Sequence, residues 1–235
     1  DSGAFFFAAQ LAIFIVASIL RGLHHAHTRT DSSGRTLDLI HRDVSPHNVM
    51  VGFQGDVKLF DFGIARLVGE SDGAEGMPGG GKYAYMSPEQ ARGKSVDARS
   101  DIYALGTMLY ELLCGDPPFT GADKLRIMQQ QASDKPPRPS DFDPSVHISD
   151  ALEAAVMKAI AKKSNARYQT ISELISALDL ANRPERFTPV PVPARAMSTR
   201  TMPGAHTTAS WTISWLTTRF TGRPTTTPHV KTWVR

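Results

Sequence analysis

Cysteine is nearly absent from these 235 residues. Cys114 stands alone, so no internal disulfide can form, and it reads as a small buried apolar side chain. No ladder of Cys and His pairs is present, which argues against a structural zinc module. Acidic residues are missing from the C-terminal stretch. From Arg186 onward there are seven basic side chains (Arg186, Arg195, Arg200, Arg219, Arg223, Lys231, Arg235) and none acidic. The first 185 residues carry 19 basic and 23 acidic ones, so the formal charge of +3 resides in the tail. That gives little support for nucleic-acid or membrane binding by the remainder. Long apolar runs are also lacking, with one candidate at residues 4–20 (AFFFAAQLAIFIVASIL). It has 17 residues, against about 20 for a spanning helix, and includes Gln10 and Ser18. It has no basic leader and continues into RGLHHAH without a turn signal, so it is read as a buried core helix rather than an anchor.

What is present falls into three stretches. The opening helix should run to about His27, followed by a polar loop at 28–36. NVMV and VKLF, separated by GFQGD, predict two short strands joined by a turn. A glycine-rich span occupies residues 68–82. Helical patterns then dominate: Ser100 to Cys114, with Ser100 or Asp101 as cap and Gly115 as stop, then DKLRIMQQQ, DALEAAVMKAIAKK and TISELISALDLAN. Thr170 with Glu173 fits a capping box at the start of the last. Residues 186–235 hold thirteen threonines, six prolines and all three tryptophans without a helical or strand period. They read as a disordered basic tail, or as a stretch outside the native reading frame. Stacking of its arginines and tryptophans on nucleic acid is the less favoured reading. His24, His25 and His27 do not converge as a metal site would require.

Three short motifs stand in order: His41-Arg42-Asp43-Val44-Ser45-Pro46-His47-Asn48, then Asp61-Phe62-Gly63, then Ser87-Pro88-Glu89. Together with Gly81–Gln90 and Asp97–Gly106 they resemble the protein kinase superfamily, in particular the bacterial eukaryotic-like (Hanks-type) serine/threonine kinases, and most closely those of myxobacterial type. The resemblance covers about residues 5–182. It implies an α+β kinase-like fold: a mainly α-helical C-terminal lobe at residues 1–185, with a short β hairpin near Val49–Phe60 and without the N-terminal lobe. It also implies phosphoryl transfer from Mg-ATP to serine or threonine hydroxyls of protein substrates, in the cytoplasm, with a membrane anchor compatible with a longer gene product. Oligomeric state is not legible.

Such chemistry needs hard oxygen donors for magnesium and charge balance more than covalent catalysis. By the resemblance, Asp61 and Asn48 hold the metal, Asp43 orients the hydroxyl and accepts its proton, and Met50 lies under the adenine ring. Arg42 meets a negative charge on the glycine-rich activation segment; if that charge is a phosphate, Ser71 is the leading site, and the alternative is that activation needs no phosphorylation. Asp101 accepts hydrogen bonds from the catalytic-loop backbone, and Glu89 pairs with Arg167.

Two positions depart from the family pattern. Ser45 stands where these kinases carry a lysine that contacts the transferred phosphate, and Lys82 stands where a threonine is usual. Ser45 also differs from the tyrosine-kinase pattern, which keeps serine and threonine substrates favoured. No glycine-rich nucleotide loop, strand lysine or partner helix glutamate is found, so the 235 residues alone are expected to be inactive. The rival reading is a non-catalytic, pseudokinase-like module that docks proteins through the Gly121–Asn182 helices. A third is a receptor kinase anchored by residues 4–20.

Overall fold

The computed structural model describes residues 2–52, 54–62, 82–142 and 148–182. Gly63, Ser71, the glycine-rich span up to Gly81 and the 186–235 tail lie outside them.

Helix α1 (Ser2–His27) carries its apolar residues at the 3.6-residue period of one face. Ala12, Val16, Ile19, Leu20 and Leu23 are buried, while Phe14, Arg21, His24 and His25 face outward. The stretch Ala9–His27, with mean hydropathy 1.3, is long and apolar enough to cross a membrane. Here it packs against α3 (Ala98–Cys114) and α7 (Ile171–Ala181) as part of the core.

Helix α3 is the centre of the molecule, with every residue from Ser100 to Cys114 buried. Ile102, Tyr103, Leu105, Met108 and Tyr110 are wholly inaccessible. Each such side chain contributes about 1.5–3 kcal/mol by leaving water. A helix apolar all round must be covered on all sides. Its cap is Asp97, whose carboxylate accepts from the Arg99 N–H, rather than Ser100 or Asp101 as expected. Those two side chains sit inside the helix and are spent on distant partners. Gly115 ends it in a left-handed conformation, φ 92°, that glycine adopts without strain. Gly106 lets α6 (Asp150–Ala159) approach closely: a Cβ there would lie 2.7 Å from the Ala159 Cβ.

The expected strands are β1 (Val49–Val51) and β2 (Val57–Leu59), an antiparallel pair in the register Val49↔Leu59. Among the described residues there are three further α-helices besides α1, α3, α6 and α7. Short α2 (Pro88–Ala91) opens with a capping box in which Ser87 and Gln90 satisfy one another's backbone N–H groups. Helix α4 (Lys124–Ser133) starts on Asp123, and α5 (Pro139–Phe142) is a single turn. Helix α6 stops at Ala159, before the Lys163 end that the sequence pattern suggests. At α7 the expected box is half formed. Thr170 accepts from the Glu173 N–H, but the Glu173 carboxylate reaches the Gln169 N–H instead of that of Thr170.

Candidate active site

The segment 41–48 joins α1's side of the molecule to β1, and α3 holds it in shape. Asp101 is 1% exposed, and its carboxylate accepts from the His41 and Arg42 N–H groups, both at 2.9 Å. His27 Nε2 lies 2.8 Å from the same carboxylate. Arg42 adopts a left-handed backbone, φ 66°, which costs a non-glycine residue about 1–2 kcal/mol. The Asp101 bonds offset that strain, and Gln90 Nε2 donates to the Arg42 carbonyl at 2.7 Å. Both α2 and α3 therefore hold the strained Arg42 that precedes Asp43.

His41 ties this loop to the end of β2. Its Nε2 donates to the Phe60 carbonyl at 2.8 Å, which leaves Nδ1 to accept from the Asp43 N–H at 3.3 Å. The Phe62 ring packs on the imidazole, centroids 4.6 Å apart. Next to it Asp61 is exposed, with φ 54°. The Phe60 N–H donates to the Asn48 carbonyl at 2.8 Å. The open end of the hairpin thus brings Asn48 to within one residue of Asp61, although 13 positions separate them in the chain.

Asn48 is buried, and its Nδ2 donates to the Asp43 carbonyl at 2.7 Å and to Asp43 Oδ2 at 3.0 Å. The amide oxygen is thereby turned to the opposite side. Lys82 Nζ forms an ion pair with Asp43 Oδ2. Ser45 is 1% exposed, and its Oγ has no hydrogen-bond partner. Met50 is 41% exposed on β1, opposite Lys58. Arg42 keeps its backbone in this network, while the segment it was expected to meet lies outside the described residues.

Behind the site, Arg167 is fully inaccessible and grips Glu89 with two bonds of 2.7 Å. It also donates to the carbonyls of Ala161, Arg99 and Lys162, and Ser100 Oγ donates to Glu89 at 2.5 Å. Burial pushes the Glu89 carboxyl up, but the bonds from Arg167 and Ser100 and the Arg167 charge outweigh it and hold the group at about 2.

Sequence reasoning missed two polar pairs beneath this surface. Tyr85 donates to Glu111 at 2.5 Å, and burial, opposed by that bond and aided by the Asp116 charge, pushes the Glu111 carboxyl up to about 7. Gln131 of α4 joins Tyr103 to the Ala84 carbonyl. An acidic residue at an otherwise apolar position of α3 was the available signal for the first; nothing local marks the second.

His24, His25 and His27 point to separate partners: Ser172, Arg29 and Asp101. Among the described residues no group of three or more His, Cys, Asp or Glu side chains forms a metal cluster.

A loop aspartate, an amide bonded to it and a second aspartate lie near one another at the open end of the hairpin. The sequence profile of the protein kinase domain matches residues 2–187. The chain belongs to the protein kinase family. It is 43% identical over 171 residues to the tyrosine-protein kinase MasK of Myxococcus xanthus, and 42% identical over 166 residues to the serine/threonine-protein kinase PknB of Mycobacterium leprae. Each match covers 70% of this chain and 25% of the relative, so the chain spans a quarter of the length of these relatives. Among solved structures it resembles a mutant PknI kinase domain of Mycobacterium tuberculosis, with a TM-score of 0.52 and 26% identity over 74% of this chain and 56% of that one. The helix-rich layout and two-stranded sheet fit the C-terminal lobe of such a kinase fold.

Proposed function

We propose that this kinase-family chain contributes the catalytic loop and metal-binding turn for phosphoryl transfer from Mg-ATP to serine or threonine hydroxyls of proteins. The observation that carries the reading is the bonding of Asn48 to Asp43 at the mouth of the hairpin that ends in Asp61.

The donor set suits magnesium, a hard ion that takes carboxylate and amide oxygens. Asp61 and the Asn48 amide oxygen, on the side away from Asp43, would hold it. Bound there, Mg-ATP supplies the activated phosphoryl group and neutralises its charge. Contacts to Asp43 converge on Oδ2, from Asn48 and Lys82. That leaves Oδ1 for the substrate hydroxyl, whose proton it accepts. A carboxylate is ionised at neutral pH and needs only local contact for this task. The exposed face of Met50 gives the adenine an apolar floor. Glu89 and Arg167 position the docking segment, and Asp101 positions the loop.

The boundaries proposed are a kinase C-terminal lobe at 1–185 and a separate basic tail at 186–235. A complete ATP cleft also needs a phosphate lid and a strand lysine, for which the sequence offers no G-x-G-x-x-G or V-A-I-K motif, so the 235 residues alone are expected to be inactive. Use of Mg-ATP as the phosphoryl donor supports a cytoplasmic setting for the site. MasK is named a tyrosine kinase and PknB a serine/threonine kinase; the catalytic-loop serine, unlike the tyrosine-kinase pattern, favours the latter substrates.

The test is phosphoamino-acid analysis after incubation of the full-length gene product with labelled Mg-ATP and a protein substrate. Label on serine and threonine, abolished by Asp43→Asn, is expected. Label on tyrosine would overturn the substrate assignment. Undiminished label in Asp43→Asn would overturn the catalytic one, and no Mg-dependent nucleotide binding at all would favour the docking-module reading.

A further inference from the structure

We propose that Lys82 is a catalytic residue: its ammonium, seated on Asp43, faces the phosphoryl group in transfer and supplies the positive charge missing from the catalytic loop at Ser45. This rests on the phosphotransfer reading above.

The need for a cation follows from charge. The transferring group spreads negative charge over three oxygens, and Asp43 brings another negative charge beside it. A fixed cation at that point stabilises the developing charge with no reorganisation when the reaction occurs. Ser45 cannot fill the role. Its hydroxyl is neutral, 1% exposed and enclosed without a hydrogen-bond partner. The other loop residues facing inward, His41, Val44 and Asn48, are committed to Phe60, the core and Asp43.

Lys82 meets the geometric requirements. It begins the helical turn Lys82–Tyr85, in which Tyr83, Ala84 and Tyr85 are all buried, so its backbone sits on a packed base. Gln131 donates to the Ala84 carbonyl and ties that turn to α4. From this base the side chain, 27% exposed, crosses to Oδ2 of Asp43, whose side chain is 30% exposed. Both groups therefore remain partly open to solvent, where a substrate can approach them. An ammonium has three N–H donors. One engages Asp43, and two remain for phosphoryl oxygens. In the step, the substrate oxygen bonds to the γ-phosphorus as the bond from that phosphorus to the ADP oxygen breaks. The hydroxyl proton passes to Asp43, and Lys82 keeps its own protons throughout.

The experiment uses the full-length gene product as wild type, Lys82→Met, Lys82→Arg, and Lys82→Met combined with Ser45→Lys. Steady-state kinetics are measured alongside binding of Mg-ADP with and without tetrafluoroaluminate, a mimic of the group in transfer. Lys82→Met is expected to lower kcat about 10²–10³-fold, the loss typical of removing one preorganised donor, with the KM for Mg-ATP little changed. Its Mg-ADP binding should match wild type while its fluoroaluminate complex weakens. Lys82→Arg should keep more activity than Lys82→Met, and Ser45→Lys should restore part of what Lys82→Met loses. An active wild type whose Lys82→Met variant keeps or gains kcat, or weakens Mg-ADP and its fluoroaluminate complex alike, overturns this proposal and leaves the phosphotransfer reading standing. A wild type without Asp43-dependent transfer overturns both.

Discussion

Replacing Glu89 by glutamine tests how the docking segment is tied to the rest of the molecule. Glu89 is 15% exposed and Arg167 not at all. The substitution leaves a guanidinium buried without its counter-charge. Breaking a buried pair this way costs about 3–5 kcal/mol. Three carbonyls also accept from Arg167 and the glutamine oxygen can still take one bond, which points to the lower end. An independent route agrees. Holding the Glu89 carboxyl at about 2 instead of 4.5 corresponds to about 3 kcal/mol, or roughly 2 once water's access to the group is allowed for. The sign follows from the direction. A carboxyl held low in the folded state contributes fully above its unfolded value of about 4.5, and the contribution drains as pH falls toward 2. Equilibrium urea unfolding should show Glu89→Gln less stable by about 2–4 kcal/mol at pH 7, a large share of a typical 5–15 kcal/mol. The gap to wild type should narrow below pH 4.5. Replacing both partners by methionine should recover most of the loss, because no buried charge is then left unpaired. A Glu89→Gln protein within about 1 kcal/mol of wild type at pH 7, or a gap that persists in acid, would refute the reasoning.

Two further predictions concern α3. Gly106→Ala would place a methyl group 2.7 Å from the Ala159 Cβ and 2.8 Å from the Ile160 Cγ2, so α3 and α6 must move apart. Thermal or urea unfolding should record a loss of about 1–3 kcal/mol, and unchanged stability would show that the approach is looser than described. Tyr85→Phe removes the hydroxyl that holds the Glu111 carboxyl down against burial. Since that carboxyl sits above its unfolded value, its contribution is greatest below about pH 4.5 and declines as pH rises to about 7. In Tyr85→Phe the decline should continue past pH 7, and the infrared band of the protonated carboxyl should persist to higher pH than in wild type. A band that vanishes at the same pH in both proteins would sink this assignment.

Most of the helices were legible in the sequence because their signals are local. Apolar residues at a 3.6-residue period marked α1, α3, α4, α6 and α7. Asp123, Ser149 and Thr170 accept from their own first turns, a bond that depends on nothing beyond three residues. The hairpin was legible for the same reason. The cap of α3 was misread because Ser100 and Asp101 are good capping residues by type, and only their distant partners Glu89, His41 and Arg42 explain why they lie inside the helix.

The amino-acid sequence by itself determined the family and the order of the chemical groups, because three spaced motifs carry that information in residue identity alone. Tertiary structure decided whether those groups meet. The 60-residue reach from His41 to Asp101 and the 78-residue reach from Glu89 to Arg167 are contacts between elements that no local rule predicts. It also supplied the partners of the apolar opening helix, which the sequence pattern favoured as core: from Ala9 onward it packs against α3 and α7. The pairing of Lys82 with Asp43 belongs to the same class: a substituted lysine acquires meaning only when a packed turn carries it 39 residues back to the catalytic loop.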